Sequence, residues 1–296
     1  VLLVVNPVSR RGLKGEREAR DAFTSAGIAC AVVHTAGTGD AARLTRDFAQ
    51  SHDAVFTLGG DGTAMEVVGA LIGSDKPVGI LAGGTANQVA RYLQTPLSIR
   101  RAVPALLAGT AVRLDLGRLG PDRCFALIAG FGMDAAMMMG ASARSKKRFG
   151  VGAYLWSGAR ALLRNDHVQI RATVDGVLYE RDCGLAMIVN VGALFGGMVS
   201  VGPGVRPDDG LLDLCLFSAR TALEGFDVVR RCFARNFRPH RNMVFARGRA
   251  IRLESVPPTV AEADGELLGA VTLNAVVEPR AALLLRAQGR GAIDSL

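Results

Sequence analysis

The sequence predicts an α/β chain in two parts, a parallel βα half followed by a mostly β half, and three observations carry that prediction. Through the first hundred positions, short β-branched apolar runs alternate with amphipathic stretches of helical period. From Val112 on, strand-like pieces are separated by Gly, Asp and Pro turns. The length, 296 residues, is long for one core and comfortable for two. With 49% hydrophobic but only 5% aromatic residues, the chain is built as Val/Leu/Ala/Gly-rich α/β proteins are, which excludes disordered and collagen-like classes.

In order, residues 1–5, 28–34, 54–58 and 78–81 read as strands, and 16–26, 40–50, 64–72 and 86–93 as the helices between them. Such a repeat implies parallel strands covered on both faces, with ligands bound beyond their carboxyl ends. In the second half, 124–129, 168–174, 185–191, 211–217, 250–253 and 270–277 read as strands. Two stretches there read as helical: 134–163 by composition, and 221–237 by an amphipathic pattern placing Val228, Val229, Cys232 and Phe233 on a buried face. The long uncharged run 183–205 is broken by six glycines, Pro203 and Asn190, so a buried strand entering a glycine-rich loop is expected rather than a membrane span.

The net charge of +8 favours anionic partners without choosing among nucleotides, nucleic acid and acidic lipids. Residues 228–253 contain no acid and eight arginines, so the positive charge is regional. Five scattered cysteines without a CxxC pair suggest neither a disulfide framework nor zinc, and the four histidines lack ligand spacing. That cysteine pattern makes a reducing cytoplasm the simple reading, and the sequence opens directly in a strand-like run without a signal peptide.

The chemistry sits where the apolar runs end. Residues 54–58 lead into Gly59-Gly60-Asp61-Gly62-Thr63, and a helix follows at once. Three glycines let a backbone approach a polyphosphate and free consecutive N–H groups, while the helix N-terminus adds donors and the positive end of its dipole. Asp61 there calls for a cation or a hydroxyl, because a carboxylate beside phosphates is repulsive without Mg2+ between them. The run 78–81 ends in a second loop, Ala82-Gly83-Gly84-Thr85-Ala86-Asn87, which again opens a helix. Each loop alone reads equally well as an ordinary βα turn; two on neighbouring strands make one cleft. No GxxxxGK[ST] P-loop occurs.

Together with Asn6-Pro7-Val8-Ser9, these loops resemble the catalytic domain of diacylglycerol kinases and sphingosine kinases. GGDGT alone is shared with NAD kinases and is similar to the phosphofructokinase loop. GFGMDA at 130–135, RPDDGLLD at 206–213 and ADGE at 263–266 resemble the bacterial soluble lipid kinases in order and spacing, so the likeness covers nearly the whole chain. GFGMDA lacks the third glycine of a dinucleotide fingerprint and is not read as one, and Met137, Met138 and Met139 read as helix core.

The resemblance implies a Rossmann-like α/β nucleotide domain over residues 1–112 and a mostly antiparallel β-sandwich over 113–286. A tail of about 287–296 would return to the first domain, with ATP in the cleft. It implies nucleotide contacts from Asn6, Pro7, Ser9, Thr35, Gly59, Gly60, Asp61, Gly62, Thr63 and Thr85, with Asn87 supporting its loop. It implies a structural divalent cation on the Asp209 carboxylate and the carbonyls of Arg206 and Leu211. The chain departs from the family pattern at Arg10 and Arg11, at Met65, and at Gln88, which stands where relatives use an Asp in a water-linked Mg2+ network. Each departure changes a polar contact near phosphate or metal.

Phosphoryl transfer needs in-line placement, charge neutralisation and a base for the attacking hydroxyl. Asp264 and Glu266 flank Gly265, a pattern that a plain Asp-Gly hairpin turn shares. The family match points to Glu266 as general base on a lipid hydroxyl, with Asp264 orienting it or binding Mg2+ and Asp61 completing the catalytic set. A lipid acceptor lies in a bilayer, so peripheral, reversible contact with the anionic inner face of the membrane is expected. Candidates are Arg144, Lys146, Lys147, Arg148 and Phe149 beside Tyr154 and Trp156, and the arginine-rich stretch 230–252; both read equally well as solvated charge.

Nucleic acid would use the same arginines with Phe233, Phe237 and Phe245, but no binding module accompanies them, so it is not an expected partner. A homodimer would fit the resemblance. Three readings remain: a lipid kinase, a soluble-substrate kinase of the NAD kinase type, and a silent nucleotide or lipid sensor. The second wants an acidic NE-type motif where Ala64-Met65-Glu66 stands, and the third has no use for a base at Glu266. Which lipid is the acceptor is not written in the sequence.

Overall fold

A computed structural model of the chain describes residues 1–85, 87–121, 123–132, 167–194 and 199–287. The expected helix at 134–163, Met137 to Met139, the basic and aromatic stretch 144–156 and the tail beyond 287 lie outside the described residues. The chain divides into two compact units, Val1–Leu116 with Asp122–Cys124 and the stretch from Pro279 on, and Gly117–Pro121 with Phe125–Glu278.

In the first unit, β1 (Leu2–Val5) lies between β2 (Ala31–His34) and β3 (Val55–Gly59), and β3 pairs onward with β4 (Val78–Ala82), all parallel. The helices are α1 (Gly12–Ser25), α2 (Asp40–Phe48), α3 (Asp61–Ala70), α4 (Gln88–Tyr92) and α5 (Ile99–Leu107). β1, β3 and β4 are buried at every position while the edge strand β2 is not, which is why the three inner strands read as unbroken apolar runs. Leu3, Val5, Phe56, Leu58 and Leu81 pack with Ala19 and Phe23 of α1 and with Ile99, Val103 and Leu106 of α5. The Phe23 ring meets Phe56 edge-on, centroids 4.8 Å apart.

The order β2-β1-β3-β4 has a functional consequence. The chain leaves β1 for a neighbour on one side and returns through β3 on the other. The loops after β1 and β3 therefore diverge and leave a crevice at their carboxyl ends, the place where open α/β sheets bind ligands.

After α5 comes β5 (Thr110–Leu119), then β6 (Cys124–Phe125), β7 (Ile128–Phe131), β8 (Val168–Val174), β9 (Val177–Cys183), β10 (Leu185–Val189), and a two-strand ladder of β11 (Ala193–Leu194) and β12 (Val199–Ser200). β13 (Leu212–Phe217), α6 (Ala222–Phe233), β14 (Met243–Gly248), β15 (Ala250–Val256), β16 (Val260–Ala263), β17 (Glu266–Ala270) and β18 (Leu273–Arg286) complete it. In the second unit one antiparallel sheet runs β14-β13-β10-β7-β16-β17, and β9, β8, β15 and the first residues of β18 form another. Phe131, Ile188 and Leu214 of one sheet share a core with Ile170, Ala172, Ile251, Leu253 and Ala275 of the other, which makes the unit a β-sandwich. The last residues of β18 belong to the first unit, where Leu284 pairs in parallel with Val78 of β4.

The uncharged run 183–205 supplies β10, buried at every residue, and the β11–β12 ladder. No helix among the described residues is long and apolar enough to cross a membrane.

Candidate active site

In the first unit the ends of β1, β3 and β4 bring the expected nucleotide residues together. The Asn6 amide donates to the Leu58 carbonyl, extending the β1–β3 ladder by one rung. The Asn6 side chain works in both directions: its Oδ1 accepts from Val8 N at 3.1 Å, folding the 6–9 turn, and its Nδ2 donates to Thr63 Oγ1 at 3.2 Å. Ser9 Oγ accepts from the Gly12 amide at the start of α1. Thr35, one residue past β2, is buried and donates its amide to Val5 O. Asn6, Ser9, Thr63 and Thr35 are therefore fixed relative to one another by hydrogen bonds radiating from the end of β1.

The two glycine loops lie against each other. Gly83 N donates to Gly59 O at 2.9 Å, and a Cβ on Gly84 would stand 2.6 Å from the Gly60 Cα, so only glycine allows this approach. Asn87, in the left-handed region at φ 49°, closes its own loop with Oδ1 accepting from Gly84 N at 2.8 Å and Nδ2 donating to Gly84 O at 2.9 Å. Thr85 stands exposed between them.

α3 begins on Asp61 itself, three residues before the sequence pattern places it, so the acid is the first helical residue. Asp61 Oδ1 accepts from Val89 N at 3.2 Å, reaching across to the first turn of α4. Burial raises its carboxyl above the usual carboxylate range, opposed by the amides of Val89, Gln88 and Asn87 and by Arg91. A carboxylate kept in a low-dielectric place next to two glycine loops is suited to a cation or a hydroxyl arriving from outside.

Met65 is buried in α3. Arg11 donates its amide to Gly83 O and its guanidinium to Leu97 O at 2.7 Å, so it ties the β1 loop to the segment after α4. Gln88 is the first residue of α4. Glu66, weighed in the sequence only as an acceptor-binding acid, accepts from Gly39 N at 2.8 Å and Ala41 N at 3.0 Å, capping α2.

In the second unit the Ala263 to Glu266 segment is the tight turn between β16 and β17, with Ala263 paired to Glu266 and both central residues at positive φ, 47° at Asp264 and 88° at Gly265. That is the two-residue hairpin favoured by Asp-Gly. Asp264 is 8% exposed and its carboxylate accepts from the amides of Ala126 at 2.6 Å, Leu127 at 3.0 Å and Ile128 at 3.0 Å. Glu266 opens β17 and is exposed. Asp264 thus anchors the turn that presents Glu266.

Sequence reasoning passed over Asn190, whose Nδ2 donates to Ala126 O at 2.8 Å and whose amide donates to Leu127 O. It holds the same segment from the other side. An asparagine directly after an apolar strand was the available signal.

The turn at Arg206 to Leu211 is an ion-pair cluster. Arg206 pairs with Asp208 at 3.0 Å. Asp209 Oδ1 accepts from Leu211 N at 3.1 Å, and its Oδ2 lies 3.5 Å from the Arg247 guanidinium. Arg247 also binds Asp213 at 2.9 Å and donates to Gly204 O at 2.7 Å. Burial raises the Asp213 carboxyl, with Arg247 opposing. A divalent cation at Asp209 would have to share or displace this guanidinium, so the residues as placed do not fit it. Among the described residues no three His, Cys, Asp or Glu side chains converge as a metal cluster.

Comparison with known proteins places this arrangement. Residues 1–119 match the diacylglycerol kinase catalytic domain, and residues 128–286 match the YegS C-terminal NAD kinase beta sandwich-like domain. The chain belongs to the diacylglycerol kinase/YegS-like family. Within this family it is 24% identical to a diacylglycerol kinase of Staphylococcus carnosus over 92% of this chain and 90% of that one. It is 28% identical to an uncharacterised Synechocystis protein over 76% of this chain but 53% of that relative, so it spans about half of that protein's length. A Bacillus anthracis structure has the same fold, with a TM-score of 0.76 at 23% identity over 96% of both chains. The family's catalytic domain carries the glycine loops and its sandwich domain carries the Asp264 turn.

Proposed function

We propose that this chain is a lipid kinase that transfers the terminal phosphate of Mg2+-bound ATP to a hydroxyl of diacylglycerol or a related lipid. The observation that carries the reading is the pair of mutually packed glycine loops after β3 and β4, the first of them bordering the crevice between β1 and β3, with the buried Asp61 beside them. Backbone amides of the first turn of α3 bind the phosphates, with the second loop packed behind them, and Asn6 and Thr63, already bonded to each other, fix the loop after β1 against the loop after β3. Asp61 would hold the Mg2+ that accompanies ATP, and that cation would neutralise phosphate charge there. Glu266 takes the proton of the attacking lipid hydroxyl, and Asp264 positions it by holding the hairpin turn on three amides.

A soluble acceptor of the NAD type is less well supported. The acid after GGDGT, Glu66, already spends an oxygen on each of two amides at the start of α2, and an acceptor ribose would have to displace a helix cap.

The test is transfer of labelled phosphate from Mg-ATP to detergent-dispersed diacylglycerol, a sphingoid base, phosphatidylglycerol and NAD in parallel. Label on a lipid is expected; label on NAD alone would refute the proposal.

A further inference from the structure

α6 is amphipathic in an unusual sense. Its inward face is apolar, with Gly225, Val228 and Cys232 buried. Its outward face is apolar as well: Leu223 is 83% exposed and Phe226 46% exposed. Leu223, Phe226 and Arg230 stand at i, i+3 and i+7, one stripe along the helix directly opposite the buried one. Nothing in helix formation or core packing asks for Leu and Phe there.

The surroundings of the stripe are basic. Residues 220–241 hold six arginines against two acids, an excess of four positive charges. Arg220, Arg230 and Arg241 are exposed and paired with Asp182, Asp227 and Glu224. Exposed ion pairs hold their partners weakly, so these guanidinium groups can exchange a carboxylate for a lipid phosphate. The helix is itself fixed: Thr221 and Glu224 form a reciprocal capping box, so the stripe is presented by a rigid element.

Exposed apolar side chains on a helix face, with Arg230 in the same stripe and Arg220 and Arg241 flanking the helix in sequence, fit an element that lies in a membrane interface. We propose that the outward face of α6 is where the chain docks on an anionic bilayer, with Leu223 and Phe226 entering the headgroup boundary and Arg220, Arg230 and Arg241 meeting lipid phosphates. The proposal rests on the lipid-kinase reading for its purpose, since an acceptor dissolved in a bilayer requires such a contact.

The experiment is cosedimentation of the full chain, without ATP, with vesicles of phosphatidylcholine alone and of three parts phosphatidylcholine to one part phosphatidylglycerol. The wild type is expected to bind the anionic vesicles and to release them at high salt. The Leu223→Ser/Phe226→Ser double variant should lose about tenfold or more in vesicle affinity, while Leu178→Ser, an exposed apolar change on β9, should lose none. Leu223→Glu alters only the most exposed side chain of the stripe, cannot disturb the core, and should lose binding as well.

Wild-type affinity in the double variant, or equal binding to neutral vesicles, would overturn the proposal. So would a wild-type dimer that the double variant turns into a monomer with vesicle binding unchanged. A wild type that binds vesicles but transfers no phosphate refutes the kinase reading and leaves this surface standing. One that phosphorylates a dispersed short-chain lipid yet ignores vesicles overturns the surface alone.

Discussion

Asp61 is a carboxylate held in the fold at a cost. Burial raises its folded-state pKa above the unfolded value, so between those two values the native state holds more protons and stability falls as pH rises through that window. Above the window the cost is complete. Asp61→Asn keeps an oxygen for Val89 N and removes the charge, so it should melt higher than the wild type near neutral pH, the gap closing as pH falls toward the range where an ordinary carboxylate protonates, while phosphate transfer is lost. Thermal melts across a pH series check this; a variant less stable at every pH would contradict it.

Asp264 lies at the opposite extreme, because its carboxylate serves three buried amides. Asp264→Ala leaves those donors unsatisfied and should cost about 2–4 kcal/mol by urea unfolding. The identities of both acids were legible from motif spacing. Their separate jobs were not, because the three amides served by Asp264 come from a segment about 140 residues earlier in the chain, which no local pattern exposes.

At the scale of elements, the inner strands and α1 to α3 were legible because burial on both faces leaves an unmistakable apolar run and period. α5 was not read from the sequence, although Ile99, Ala102, Val103 and Leu106 are spaced for one buried face; Pro104 in its interior weakens the local helical signal. The strand expected at 270–277 proved to be the end of β17 and the start of β18, divided at residues 271–272, because the hairpin register is set by the Asp264-Gly265 turn rather than by the apolar count. Glu66 belongs to this scale as well. Glu66→Ala uncaps α2 from a neighbouring helix and should cost about 1–2 kcal/mol of stability in a denaturant titration without changing which acceptor is phosphorylated. A switch of acceptor in that variant would reinstate a ribose-binding role.

For the whole molecule, the sequence charge of +8 does not tell where that charge stands in space. Of the eight arginines in the acid-free stretch, Arg230, Arg231, Arg241, Arg247 and Arg252 form ion pairs with Asp227, Glu224, Asp209, Asp213 and Glu254. A run without acids in sequence is therefore not one without acids in space.

Glu266, exposed at the start of β17 and held there by the Asp264 turn, is the base proposed for a lipid hydroxyl. Glu266→Gln retains the turn and the fold, so the decisive measurement is phosphate transfer to diacylglycerol by this variant beside ATP binding by the same preparation. A loss of about 100- to 10,000-fold in kcat with unchanged ATP affinity and unchanged melting is the predicted result. Transfer at the wild-type rate would contradict it and move the search for the base to Asp61.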